Sequence, residues 1–127
     1  MTPRNYIRDG KMLFYNHMPG RMIKHLVDDN IWNSYFKFCF ERNPWDKIIS
    51  SYCERKVKEG LNQSLSEFIR CGETKKLFFS DFSFMYNFEG EMVVDFIGKY
   101  ENLKEDLEFV CKKLGMPELV LTKAKFG

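Results

Sequence analysis

Several absences bound this chain before any motif does. No apolar run approaches the length needed to span a bilayer, and the start, Met1-Thr2-Pro3-Arg4-Asn5, lacks the apolar centre of a signal peptide. The four cysteines, Cys39, Cys53, Cys71 and Cys111, are dispersed with no C-x-x-C pair, which argues against a metal centre or a redox motif. Only two histidines, His17 and His25, are present to serve as bases near neutral pH. Charge of one sign is also missing: 20 basic side chains face 18 acidic ones, and a net +2 gives little field to draw nucleic acid or an anionic membrane. There is no G-x-x-x-x-G-K-[ST] phosphate loop, no repeat and no low-complexity tract. What the chain has in quantity is aromatic weight, 17% of its residues including 13 Phe, which supplies a core for one globular domain over residues 1–127.

The most informative stretch runs from Tyr35 to Tyr52. Phe36, Phe38 and Phe40 alternate with Tyr35, Lys37, Cys39 and Glu41, the period of a strand with one aromatic face. The period then changes. Asn43 is a good N-cap and Pro44 suits the first helical position, where its missing N–H costs nothing. Asp46 follows in the first turn, where the helix dipole favours an anion. Trp45, Ile48, Ile49, Tyr52 and Val57 are expected to form the stripe that packs on a sheet. A strand ending at Arg42 with a helix leaving from Pro44 is a place for anion binding, because helix N-termini and the carboxyl ends of strands attract phosphate. Arg42 brings a forked donor and Ser50 a hydroxyl about two turns on. A surface Arg paired with a carboxylate and a solvated Ser have the same spacing.

Elsewhere the pattern is of short units. Lys11 to Tyr15 reads as a strand, and Arg21 to Val27 as a helix closed by Asp28-Asp29-Asn30, with Ile31–Ser34 as a link. Gly60 stops the central helix, and Ser64-Leu65-Ser66-Glu67 has the form of a capping box for a short helix ending at Gly72. Residues 73–91 read as irregular, a packed lid or ligand-facing wall carrying Phe78, Phe79, Phe82, Phe84, Tyr86 and Phe88. Met92 to Gly98 reads as a buried strand. Asn102 and Glu105 suggest a second capping box, before a helix with Leu103, Leu107, Val110 and Leu114 on its apolar stripe, ended by Gly115 and Pro117.

Phe40-Glu41-Arg42-Asn43-Pro44-Trp45-Asp46-Lys47-Ile48-Ile49-Ser50-Ser51-Tyr52 resembles the 3′-phosphate-binding segment of the carbohydrate sulfotransferases, Golgi-type and related bacterial enzymes, which reads roughly Phe-x-Arg-Asn-Pro-x-x-Arg-x-x-Ser-x-Tyr. Lys47 stands where that family usually has Arg, and Glu41 where it often has Val. Asp95-Phe96-Ile97-Gly98-Lys99-Tyr100-Glu101-Asn102-Leu103 resembles the same family's Asp-Phe-Ile-Gly-Arg-Tyr/Phe-Glu-Asn-Leu, in the right order. The resemblance implies an α/β fold: a partial P-loop-like sulfotransferase fold with parallel strands and flanking helices, incomplete at both ends. It implies a transfer of the sulfuryl group from 3′-phosphoadenosine 5′-phosphosulfate (PAPS) to a hydroxyl of a carbohydrate acceptor, without a metal. Arg42 and Ser50 would hold the 3′-phosphate of PAPS. His17, upstream of Arg42 as the catalytic His is in some uronyl-type members, is the candidate catalytic base, with Glu41 and Glu101 as carboxylate alternatives. A structural loop histidine is the plainer role for His17, and His25 suits a helix C-terminus.

The family's 5′-phosphosulfate loop, a Pro-Lys-Thr-Gly-Gly-Thr-Ser-like string, has no counterpart here. The nearest string is His17-Met18-Pro19-Gly20-Arg21, with Arg21 in place of the Lys; the expectation is instead of a truncated domain that begins downstream of the loop. An alternative function follows: an inactive remnant that binds a 3′-phosphonucleotide or serves as an interaction module. A nucleic-acid platform on residues 78–88 is disfavoured, because Asp81 and Glu89 interrupt the aromatics. The compartment stays open: cytoplasmic for a bacterial enzyme, the Golgi membrane for a piece of a eukaryotic one.

Overall fold

A computed structural model describes residues 6–121. An antiparallel hairpin comes first, β1 (Tyr6–Arg8) with β2 (Lys11–Phe14), turned through Asp9 and Gly10, both at positive φ. Two short helices follow, α1 (Gly20–Leu26) and α2 (Asp29–Ser34). Residues 31–34 therefore close a helix rather than form a link, because the Asp28 side chain caps it by accepting from the Asn30 N–H at 2.8 Å. Strand β3 (Phe38–Glu41) leads into the long helix α3 (Pro44–Glu59); α4 (Leu65–Arg70) and α5 (Glu73–Met85) follow. Strand β4 (Phe96–Lys99) then passes through a single 3₁₀ turn, Tyr100–Asn102, into α6 (Leu103–Leu114).

The centre of the fold is the parallel pair β3–β4, in which Phe38, Cys39, Phe40 and Glu41 lie opposite Phe96, Ile97, Gly98 and Lys99. Its aromatic face is as the alternation implies. Phe36 stacks on Phe38 at 6.1 Å, Phe38 meets Phe40 edge-on at 6.2 Å, and Phe109 of α6 lies 4.7 Å from Phe96. Gly98 is required by this packing. A Cβ there would stand 2.5 Å from the Phe40 ring, so the ring occupies the space that a side chain would need.

Both ends of the pair are latched by carboxylates. Before β3, Asp95 accepts from the Lys37 N–H at 2.8 Å and pairs with its ammonium at 2.8 Å. Burial works against the Asp95 charge, but the Lys37 hydrogen bonds outweigh it and hold the carboxyl below its ordinary range. After β3, Glu101 accepts from the Asn43 N–H at 2.6 Å. The strand expected from Met92 is thus shorter: Met92 only bridges Tyr86, and β4 begins at Phe96, where the Asp95 latch sets the register.

Three further expectations are corrected. Residues 73–85 are helix α5, not irregular chain. Gly72, left-handed at φ 84°, ends α4 and starts α5 in one residue. The α3 stripe does not pack as a unit: Trp45, Ile49 and Val57 are 70%, 48% and 80% exposed, while Ile48 is buried and Tyr52 packs on Phe68 of α4. Those three residues belong to an i, i+4 row that winds off the face α3 buries. Asn102 makes no side-chain cap. The chain enters α6 through the 3₁₀ turn, and Asp106 rather than Glu105 reaches back, accepting from the Lys99 N–H at 2.6 Å. By contrast, the capping box of Ser64 and Glu67, the Asn43 cap and the left-handed Gly60 and Gly115 stand as expected.

Candidate functional site

The junction between β3 and α3 gathers the charged residues. The Asn43 side chain accepts from the Trp45 N–H at 2.9 Å and Pro44 opens the helix, so the local sequence starts the helix directly after Arg42. Glu41 folds back to accept from the Arg42 N–H at 2.8 Å. The helix α5 packs alongside β3, and two adjoining cavities of about 130 and 260 Å³ lie between them. Glu41, Arg42, Lys47, Asp81 and Met85 line both. The aromatic stretch that the sequence left irregular is one wall of this site, with Phe84 on the smaller cavity and Phe78 and Phe82 on the larger.

Lys47 is committed to its neighbours. Its ammonium bridges Glu41 and, at 2.6 Å, Asp81. Burial disfavours its charge, but hydrogen bonds to Asp81 and Glu41 outweigh that and raise its pKa above the ordinary lysine value. Cys39, on β3 two residues before Glu41, has its thiol pushed up by burial and then by the Glu41 charge.

Arg42 is in the opposite condition. Its guanidinium lies over the Tyr100 ring at 4.8 Å, a cation–π contact, and its Nε is buried with no hydrogen-bond partner. Among the described residues no carboxylate closes on it as an ion pair, so the expected alternative of a salt-bridged surface Arg is not what stands here. A buried donor left unpaired costs on the order of 1–3 kcal/mol, so it marks a place for an acceptor. Three carboxylates (Glu41, Asp81, Glu101) and two cations (Arg42, Lys47) share the neighbourhood. An anion would therefore be held by directed donors on Arg42 and by the helix dipole, not by excess positive charge.

The other sequence candidates stand apart from this cluster. Ser50 is exposed on α3 and is not a wall of either cavity. His17 is exposed in the turn after β2, left-handed at φ 61°, with its ring 6.2 Å from Phe84. Phe84 adjoins both His17 and the smaller Arg42 cavity, which His17 itself does not line. His25 is exposed in the last turn of α1. Arg21 is stacked 3.8 Å over Phe88, and β2, which precedes it, pairs with β1 and not with the parallel strands. The His17–Arg21 string is consequently no phosphate loop on the β3–β4 sheet. Asp81 reads from the sequence only as a break in the aromatics and Tyr100 only as part of the second resembling segment; the i, i+4 spacing of Phe78 and Phe82 beside Asp81 is the available signal for the first.

Compared with known proteins, residues 10–126 match the model of a family described as "Sulfotransferase family". The chain belongs to the sulfotransferase family. An uncharacterized protein of the archaeon Archaeoglobus fulgidus is 39% identical over 104 residues, which cover 80% of this chain and 85% of that protein. No solved structure matches. The mixed α/β architecture, with a parallel pair and flanking helices, is consistent with a partial sulfotransferase domain.

Proposed function

We propose that this sulfotransferase-family chain takes its sulfuryl group from PAPS and passes it to a carbohydrate hydroxyl, with Arg42 holding the nucleotide's 3′-phosphate. The observation that carries the reading is the orphaned Nε of Arg42, buried at the carboxyl end of β3 where α3 begins. A phosphate oxygen is the partner such a donor lacks, and the guanidinium fork suits it. PAPS would supply an activated sulfuryl group at this site. The protein's own part is then to hold the nucleotide, align the acceptor oxygen for in-line attack and accept the proton that the hydroxyl loses. His17 is the candidate for that proton, and its exposed turn gives it access to solvent for returning it. Ser50, exposed on α3, is the candidate second contact to the 3′-phosphate. The carbohydrate acceptor rests on the resemblance of the Arg42–Tyr52 segment to carbohydrate-modifying members.

Calorimetry with 3′-phosphoadenosine 5′-phosphate tests the clamp. Arg42→Ala is expected to weaken binding on the order of tenfold to a hundredfold, the range for losing charge-assisted hydrogen bonds. Arg42→Lys is expected to recover only part of it, because the fork is gone. Binding that Arg42→Ala leaves untouched would sink the site. Transfer of radiolabelled sulfate from PAPS to a panel of glycans is the test of turnover. A second reading is a 3′-phosphonucleotide-binding module without transfer. It is favoured by the pairing of β2 with β1 alone, which leaves no strand-loop-helix for a 5′-phosphosulfate on the parallel sheet among the described residues. Binding without sulfate transfer would select it.

A further inference from the structure

The two motif segments of the sequence meet at one point, and their meeting has a use. Glu101, in the 3₁₀ turn after β4, accepts from the backbone N–H of Asn43 at 2.6 Å, and the preceding residue, Tyr100, lies under the Arg42 guanidinium at 4.8 Å. Neither contact is needed to form β4 or α6. The β3–β4 ladder ends at Glu41 opposite Lys99, and α6 is closed at its start by Asp106 on the Lys99 N–H. Arg42 and Asn43 would otherwise be a two-residue turn held by short-range ties alone, Glu41 on the Arg42 N–H and Asn43 on the Trp45 and Lys47 N–H groups, none of which fixes the Asn43 N–H itself. We propose that Glu101 is a positioning residue for the nucleotide-phosphate clamp: by fixing the Asn43 N–H while Tyr100 supports the guanidinium from below, it aims the unpartnered Nε of Arg42 into the site. This rests on the reading that Arg42 binds the 3′-phosphate.

The chemistry favours positioning over contact. The Glu101 carboxylate carries the wrong charge to touch a phosphate, and its Oε1 is already engaged with Asn43. A ring face beneath a guanidinium leaves the N–H edges free, so Tyr100 can orient Arg42 without competing for the donors that an anion needs. A hydrogen bond to a backbone N–H leaves no slack in the peptide that follows Arg42. Small displacements at such a clamp cost affinity disproportionately.

The experiment compares 3′-phosphoadenosine 5′-phosphate with adenosine 5′-phosphate, which lacks the 3′-phosphate, as ligands in calorimetry. Glu101→Ala is expected to weaken the first about tenfold and to leave the second unchanged. Glu101→Gln, whose amide oxygen still accepts, is expected to restore most of the loss. Equal weakening of both nucleotides, or no weakening of either, overturns the proposal. A measurement without ligand stands beside it. The Asn43 amide proton should shift upfield in the NMR spectrum of Glu101→Ala and part-way in Glu101→Gln, which also covers the case in which the alanine variant fails to fold. An unmoved Asn43 amide overturns the latch. If Arg42→Ala binds as the wild type does, or the wild type binds neither nucleotide, the clamp reading fails and the inference falls with it. Loss in Arg42→Ala with none in Glu101→Ala removes the inference alone.

Discussion

Lys47 and Arg42 are both cations at one strand end, yet their surroundings divide the labour. Lys47 neutralises Glu41 and Asp81 and is spent on them, while Arg42 keeps its Nε without a partner. Replacing Lys47 with Met would leave two carboxylates facing each other across the cavity. Destabilisation on the order of 1–2 kcal/mol is expected, between the values for exposed and for buried pairs, and urea unfolding would measure it. A Lys47→Met chain as stable as the wild type would mean that the carboxylates are solvated rather than paired. At this scale the sequence was partly legible. The position of Arg42 between a strand end and a helix start was readable, because the Asn43 cap and Pro44 mark where the period changes, while its phosphate contact is a proposal. The roles of Lys47, Asp81 and Tyr100 were not, since each depends on a contact made across many intervening residues.

Among the elements, those with strong local signals were readable. Asn43 with Pro44, and Ser64 with Glu67, cap their helices by contacts within a few residues, which local sequence dictates. Helix α5 escaped because phenylalanine is a modest helix former, and its first turn has Gly72 in place of a capping side chain. Phe78, Phe79 and Phe82 nonetheless carry helical spacing. Asn102 shows the reverse error: the residue types of a capping box were present, but the 3₁₀ turn holding Glu101 in place took the chain past that geometry. Packing between elements yields a sharp expectation at Gly98. Alanine there places a Cβ against the Phe40 ring and should cost about 1–3 kcal/mol by overpacking. A thermal melt reads the loss, and Gly98→Ala combined with Phe40→Leu should recover part of it. Full stability of the single variant would show that the ring moves freely.

Across the whole molecule, charge and topology set the remaining behaviour. Glu101 is held below its ordinary value of 4.5 first by the Asn43 N–H, Glu67 by the Ser64 N–H, and Glu73 by the Lys76 ammonium. Asp95 is held low by Lys37. A carboxyl whose folded pKa is depressed stabilises the fold at pH above its unfolded value, and that contribution disappears as pH falls through the folded value. The melting temperature should therefore be flat from neutrality down to about pH 5 and decline below about pH 4.5. Circular dichroism melts across that range test it, and a melting temperature that rises on acidification would reverse the assignment. The fold class was legible because strand period and helix period alternate along the chain; which strands pair was legible only through resemblance, as parallel neighbours need no local signal. That pairing has a kinetic consequence. Lys37 meets Asp95, and Asn43 meets Glu101, across 58 positions of chain, with three helices in between. Closing so long a loop delays the reward of contact, so the helices can form early while the strands join late. Until they join, Glu101 cannot reach Asn43 and Tyr100 cannot reach Arg42, so the proposed grip on a nucleotide would be completed as one of the last events of folding.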